Sequence, residues 1–318
     1  MRPRLFFISG REVGYLSAQP GVEAPVDLVG HSPTAGTCLL YSDSGLPNQQ
    51  GPLAPDKIVF RDGWREDDRY LLLNLRFTGW HRYKATNALS LFYKGEPLVR
   101  EITTGDFFDW LPVGRNLFRD KRIPRENLNG FLIPRTGLVS VLQILTGIGS
   151  RWAQDPPYYA AVEDFQTGGE FDYVHTRLAD WHGWQHDRRV YFYHDGGPIV
   201  VVDDASGSSQ QAALTWHLAG EGKMEGDRLS LRDGDSPVEA YFVPLDAKGY
   251  FETTSNPGEN SGVSVVYLPV AKGRLHLVTV FLPEQWVGAD VKWNQEVGTL
   301  RVENKDGASV VLPFPGAE

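Results

Sequence analysis

The stretch "TGWHRYKATNALSLFYKGEPLVRE", Thr78 to Glu101, decides how the chain is read. From Ala88 onward it has the composition of two short strands with Gly95 in the turn between them. Before that strand His81, Arg82, Tyr83 and Lys84 crowd into four consecutive positions, the arrangement of a polar site that opens a strand. Upstream, "KIVFRDGW" (57–64) and "RYLLLNLRF" (69–77) are β-rich runs separated by "REDD", again a hairpin-like pattern. Downstream, apolar runs recur between turn signals such as His194-Asp195-Gly196-Gly197, Asp233-Gly234, Ala271-Lys272-Gly273 and Asp306-Gly307. Near-regular turns of this kind mark antiparallel sandwich sheets.

Composition supports the same class. Thirty-four glycines, 21 prolines and 12% aromatic residues in 318 point to many short strands, and helical periodicity is nearly absent. The expected architecture is all-β: one large antiparallel supersandwich over 57–318, an irregular N-terminal segment with short strands over 1–56, and a break in the strand pattern at 218–237. Within 102–170 the run "GLVSVLQILTGIG" (137–149) fits either a strand or a short helix, because periodicity cannot separate them. No apolar run approaches the length that spans a bilayer, and "LFFI" (5–8) is too short for a signal-peptide core. A net charge of -9 repels phosphate backbones and argues against nucleic acid; an acidic polysaccharide needs a local basic patch against that field. Cys38 is the single cysteine, which rules out an intrachain disulfide and a cysteine zinc cluster.

Three segments, taken in order, resemble the C-terminal β-sheet half of the heparinase II/III-like polysaccharide lyases. They are Val59–Glu101, "HDRRVYFYHDGGPIVVVDDASG" (186–207) and "LTWHLAG" (214–220). The resemblance implies a supersandwich that in the family follows an (α/α) toroid, with uronic-acid polysaccharide in the cleft between them. No succession of long amphipathic helices occurs here, so no toroid is expected in this chain, and the cleft needs a toroid domain or chain as partner. Family membership also implies a periplasmic or extracellular setting. Chemically, β-elimination requires that the uronate carboxylate be neutralised, the adjacent carbon deprotonated and the leaving oxygen protonated.

Anchored on Ala88-Leu89-Ser90, the family's His-Gly-His-Ala-Asp-Ala-Leu turn falls on Tyr83–Leu89. Its catalytic histidine becomes Tyr83, with His81 two residues away on the same side of a continued strand. Either Tyr83 or His81 is thereby a candidate for proton transfer, and Arg82, Lys84 and Asn87 become candidate substrate contacts. Its metal-binding histidine becomes Ala85; a later histidine falls near Leu128, leaving Glu101 as the one remaining oxygen donor. Three or four donors are needed for tetrahedral zinc, so neither metal nor cofactor is expected.

The second aromatic–basic cluster, "FDYVHTRLADWHGWQHDRRV" (171–190), offers Trp181 and Trp184 as a platform for a pyranose and Arg188 and Arg189, with Arg177, as forks for carboxylate or sulfate. The competing reading makes the tryptophans sandwich core and the arginines an exposed face. His182 and His186 lack an accompanying acidic cluster and read as structural; His217 reads as a core histidine, and Asp203 and Asp204 as turn-capping carboxylates. "KRIPRE" (121–126) is a basic loop able to attract a polyanion. The chain is therefore expected to act on acidic polysaccharide as the β half of a lyase, incomplete by itself, or to serve as a non-catalytic carbohydrate-binding or assembly module.

Overall fold

The computed structural model describes residues 5–9, 12–16, 38–42, 57–63, 68–75, 88–93, 96–99, 121–122, 129–132, 135–136, 160–181, 183–207, 213–219, 221–232, 238–244, 252–255, 263–269 and 273–314. Strands β1 (Leu5–Ser9), β2 (Glu12–Leu16), β3 (Cys38–Ser42), β4 (Lys57–Arg61), β5 (Tyr70–Asn74), β6 (Ala88–Tyr93) and β7 (Glu96–Val99) belong to one antiparallel sheet. Short β8 (Lys121–Arg122) pairs with β10 (Arg135–Thr136), while β9 (Phe131–Leu132) lies against a later strand of the first sheet. A second sheet opens with β11 (Ala161–Gln166), β12 (Phe171–Trp181), β13 (Trp184–Tyr193) and β14 (Ile199–Gly207). The chain returns to the first sheet as β15 (Ala213–Ala219), then re-enters the second as β16 (Glu221–Glu225), β17 (Arg228–Arg232) and β18 (Val238–Pro244). The interval 218–237, expected as a break in the strand pattern, instead contains the β16–β17 hairpin, because its glycines sit in and beside paired strands. β19 (Glu252–Ser255) and β20 (Val263–Pro269) extend the first sheet beyond β15, and β21 (Arg274–Leu282) inserts between β14 and β18. After a 3-10 turn at Glu284–Trp286, β22 (Asp290–Asn294), β23 (Thr299–Glu303) and β24 (Ser309–Pro313) form a third, three-stranded sheet. Among the described residues that 3-10 turn is the helical element, and the architecture is all-β.

The eight-stranded second sheet is the middle layer. On one face Val190, Phe192, Ile199, Val201, Phe242, Leu277 and Phe281 pack against Ile58, Phe60, Leu71, Leu73 and Trp216 of the first sheet. Phe60 stacks on Phe192 at 5.7 Å and Trp216 meets Phe281 edge-on at 5.3 Å, so aromatic contacts bridge the layers. On the other face Val200, Val202, Val278, Val280 and Leu282 pack against Leu300, Val302, Val310 and Leu312 of the third sheet. Coverage on both faces explains two sequence patterns. β14 and β21 carry continuous apolar runs, "IVVV" and "LVTVFL", because neither face meets water. β24 alternates exposed and buried positions, because one face does.

The Asp195-Gly196 turn joins β13 to β14 with φ of 52° and 73° at its two central residues, the conformation that matches the twist of a tight hairpin. Arg69, 4% exposed, reaches this turn from the β4–β5 connection. Its guanidinium forks onto Asp62, donates from Nη2 to the Tyr193 carbonyl at 2.6 Å and from Nη1 to the Gly197 carbonyl, and lies 4.7 Å over the Phe192 ring. One side chain thereby ties the ends of two sheets together. Replacing Arg69 by Met strands Asp62 and two buried carbonyls, and should cost about 2–4 kcal/mol in a denaturant melt. The exposed pair Arg301–Glu303 provides the control, where Arg301→Met should stay within about 0.5 kcal/mol.

Candidate functional site

Period-two alternation divides β13 between the two faces of the middle sheet. Trp184, His186 and Arg188 turn toward the first sheet; Gln185, Asp187 and Arg189 turn away from it. On the inner face Arg188 donates from Nε to Asp203 Oδ1 at 2.7 Å and from Nη2 to Oδ2 at 3.2 Å. His186 Nε2 lies 2.7 Å from the same Oδ1, and since a carboxylate only accepts, Nε2 is the donor. All three side chains are fully buried. Arg188 also donates from Nη1 to the Asn129 carbonyl at 3.1 Å and sits 5.2 Å over Trp216. Phe131 packs on Trp184 and His186, at 5.2 and 5.3 Å between centroids. Burial alone would raise the Asp203 carboxyl, but the charge of Arg188 and the hydrogen bond from His186 outweigh it and hold the carboxyl below its usual range.

These positions correct two expectations. Trp184 and Arg188, read as half of a sugar platform, are 1% and 0% exposed and lie between sheets, out of reach of a polymer. The Trp184 ring packs so closely on Gly207 that a Cβ there would approach it to 2.3 Å. Asp203, read as a turn cap, is the counter-ion of Arg188 in mid-strand.

On the outer face, Asp187 accepts from His175 Nε2 (2.8 Å), Arg177 Nε (2.8 Å) and Gln185 Nε2 (2.6 Å). Beside it Asp204 accepts from Arg189 Nη1 at 2.5 Å and has His276 Nε2 at 3.2 Å. Burial would raise the Asp187 carboxyl, yet the three hydrogen bonds more than reverse this and hold it well below the usual range. Burial, then the neighbouring Tyr173, pushes the Tyr191 phenol upward, and burial raises Tyr173 as well. Neither phenol is thereby primed as a base. Arg177 and Arg189, 38% and 30% exposed, each face a carboxylate, so this surface largely neutralises itself. The carboxylate partners were the part missed in the sequence; their signal is the charge at alternate positions in "YVHTR" and "QHDRR", facing each other across one hairpin.

Tyr83, His81, Arg82, Lys84 and Asn87 lie outside the described residues, as do Ala85, Glu101, Leu128, His182, the 137–149 run and the rest of "KRIPRE" beyond β8. Trp181 is described by its backbone, paired with Trp184, and His217 by its place in β15. Strand direction nevertheless relates their neighbours. β5 runs from the Arg69 end of the sandwich to Leu75, whose carbonyl accepts from Ala160 N at 2.9 Å beside the start of β11. β6 starts at Ala88 opposite Asn74, β7 ends toward the same side at Val99, and Trp181↔Trp184 closes the β12–β13 hairpin at the corresponding end of the middle sheet. The 76–87 connection, the chain after Val99 and the Trp181–Trp184 turn therefore all leave the strands at one end. Among the described residues no three His, Cys, Asp or Glu side chains converge as a metal centre; the histidines pair singly with carboxylates.

No family model and no curated protein matches the sequence. Solved structures do. The heparan sulfate lyase HepC of Pedobacter heparinus superposes with a TM-score of 0.56 at 16% identity, over 84% of this chain and 43% of its own. A heparinase III gene product gives 0.54 at 16%, over 83% and 42%. Another heparinase III gives 0.54 at 14%, over 84% and 42%. The chain has the β-sheet fold of heparinase III. It spans less than half the length of these structures, each of which contains a further part that this chain does not match.

The buried charges make stability predictions. Asp203→Ala leaves Arg188 charged and unpaired in the core and should cost about 3–5 kcal/mol in a denaturant melt, while Arg188→Met combined with Asp203→Leu should cost less than either single change. Because the Asp187 and Asp203 carboxyls are held below their usual value, each favours the folded chain above about pH 4 and loses that contribution as pH falls through its folded value. In thermal melts between about pH 7 and pH 3, Asp187→Asn should flatten the acid fall in Tm.

Proposed function

We propose that this chain is the β-sheet half of a protein that acts on acidic polysaccharide by β-elimination at uronic acid, completing its cleft with a helical toroid supplied by another domain or chain. The reading is carried by the likeness to heparan sulfate lyase and heparinase III structures over more than four fifths of the chain. It is supported by the order of the three resembling sequence segments and by the common end at which the 76–87 connection, the chain after Val99 and the Trp181–Trp184 turn leave the strands.

In this reading Tyr83 or His81 transfers the proton at the carbon beside the uronate carboxylate, and Arg82 and Lys84 supply the positive charge that makes the proton acidic and keeps a tyrosine reactive. Asn87 binds sugar hydroxyls, Trp181 offers a ring to a pyranose face, and Arg189, with Arg177, is an arginine of the 171–190 cluster that remains partly exposed to a polyanion. Burial would lower the Arg189 pKa, but Asp204 raises it, so its charge persists at any working pH. No resident metal or cofactor enters the scheme.

A second reading has its own support in the sequence. Ala85 stands where the family's metal histidine falls and Tyr83 where its catalytic histidine does, which fits a module that kept the sheet for carbohydrate binding or assembly and lost the chemistry.

The two differ in product. With heparan sulfate, heparin and other uronate polymers, the lyase reading expects ultraviolet absorbance from an unsaturated uronate once the toroid partner is present. It also expects a drop of about 100-fold or more in Tyr83→Phe or His81→Ala, whichever residue carries the proton. The module reading expects salt-sensitive binding of the same polymers with no unsaturated product. Absence of both binding and product across the panel overturns both.

A further inference from the structure

The opposite end of the sandwich holds a cavity of about 410 Å³, bordered by Glu170, Tyr193, His194, Asp195, Trp286 and Asn304. Its walls come from the β11–β12 turn, the β13–β14 turn, the 3-10 turn after β21 and the β23–β24 hairpin, so it lies between the middle and third sheets. The candidate connections at 76–87 and 181–184 leave the strands at the other end, one full length of β13 away.

These walls are braced from several sides. Gln285 donates from Nε2 to the carbonyls of Asp195 and Gly196 at 3.0 and 2.8 Å. Arg69 holds the carbonyls of Tyr193 and Gly197 from behind. Asp172 accepts from Gly168 N at 3.0 Å and lies 3.1 Å from His194 Nε2, while His194 Nδ1 lies 3.2 Å from the Gly169 carbonyl. The last turn is closed by Asn304, whose Oδ1 accepts from the amides of Asp306 and Ala308 at 3.1 and 2.8 Å; its amide nitrogen is left to offer a ligand. A volume of this size falls in the range of small-molecule sites, which take an apolar floor and a few convergent polar groups.

Those groups define the ligand. Tyr193 and Trp286 are each 6% exposed, and with Val310 they make the floor. Glu170 and Asp195, both exposed, border it, and among the described residues no arginine or lysine does; its basic group is His194, held beside Asp172. An anion is therefore repelled. A neutral pyranose combines an apolar C–H face with hydroxyls that both donate and accept, matching an aromatic floor under carboxylate acceptors and an amide donor. Asp195 adopts φ 52°, an uncommon conformation for a residue with a side chain.

The geometry points to a second carbohydrate site, for a neutral sugar residue, at the turn end of the middle sheet. It stands independently of the lyase reading, whose ligand is acidic and whose candidate connections leave the strands at the other end. Saturation-transfer NMR and calorimetry on the whole chain test it with methyl glucoside, methyl galactoside and N-acetylglucosamine, against glucuronate and choline. Saturable binding of at least one neutral sugar, weakened about tenfold in Glu170→Gln or Asp195→Gly, is the expected result. Asp195→Gly should keep or raise Tm, because glycine suits that φ, so lost binding there is not lost folding. Three results overturn the assignment: no saturable neutral-sugar binding up to about 100 mM, glucuronate or choline binding more tightly, or sugar binding unchanged in both variants. Failure here leaves uronate-polymer binding and product formation untouched, so the two readings fail separately.

Discussion

The ionic group Arg188–Asp203–His186 is the constraint around which the sandwich is arranged. A guanidinium and a carboxylate taken wholly out of water are tolerated only when each finds a partner of matching geometry, and here the partners come from adjacent strands of one sheet. Asp203 lies opposite Arg188 in the β13–β14 ladder, so shifting that pairing by one residue would exchange Asp203 for Asp204 and turn every side chain of β14 to the wrong face. An apolar replacement of the group could be as stable, but it would not discriminate between registers in a strand that is hydrophobic on both sides. The cluster also extends beyond its own sheet, because Arg188 holds the Asn129 carbonyl and Phe131 is packed on Trp184 and His186. One buried charge thus fixes the register of the middle layer and the position of a short segment between the layers.

Two-sided coverage of that middle layer has a consequence for where chemistry can sit. Where the first and third sheets cover β14 and β21, flat faces are closed to a ligand, and what remains is the outer face near β12 and β13 together with the two ends of the strands. The outer face spends its charges on itself: Asp187 is shared among His175, Arg177 and Gln185, and Asp204 between Arg189 and His276. Strand ends are different. There the connections carry side chains that the ladder does not consume, which is why both the lyase-like reading and the sugar cavity fall at ends, and at opposite ones.

Much of this was legible in the residues. Alternation and turn chemistry mark the strands, and Asp195-Gly196 declares its hairpin before any coordinate is known, since two consecutive positive φ values favour that pair. The order of "VFRDGW", "HDRRV" and "LTWHLAG" points to the fold that the solved lyases share. What was hidden is long-range. Arg69 finds the Gly197 carbonyl 128 residues away, and nothing near Arg69 announces it. Asp203 looks like a turn residue because "DDASG" has turn composition; only the register with Arg188 shows that the first of the two aspartates points into the core. Trp184 reads equally as platform or core, since a tryptophan beside arginines fits either, and burial alone decides it.

The candidate chemistry at Tyr83 and His81 was legible only through resemblance, and both residues lie outside the described ones. Two of the stretches that carry it, 76–87 and the residues following Val99, belong to one resembling segment, Val59–Glu101. The ladder shows β5 and β7 running toward one end, as the successive β5–β6 and β6–β7 hairpins require. Arg69 and the Asp195-Gly196 turn tie the first and middle sheets at the opposite end, so the connections that bear the candidate residues leave the strands away from that tie.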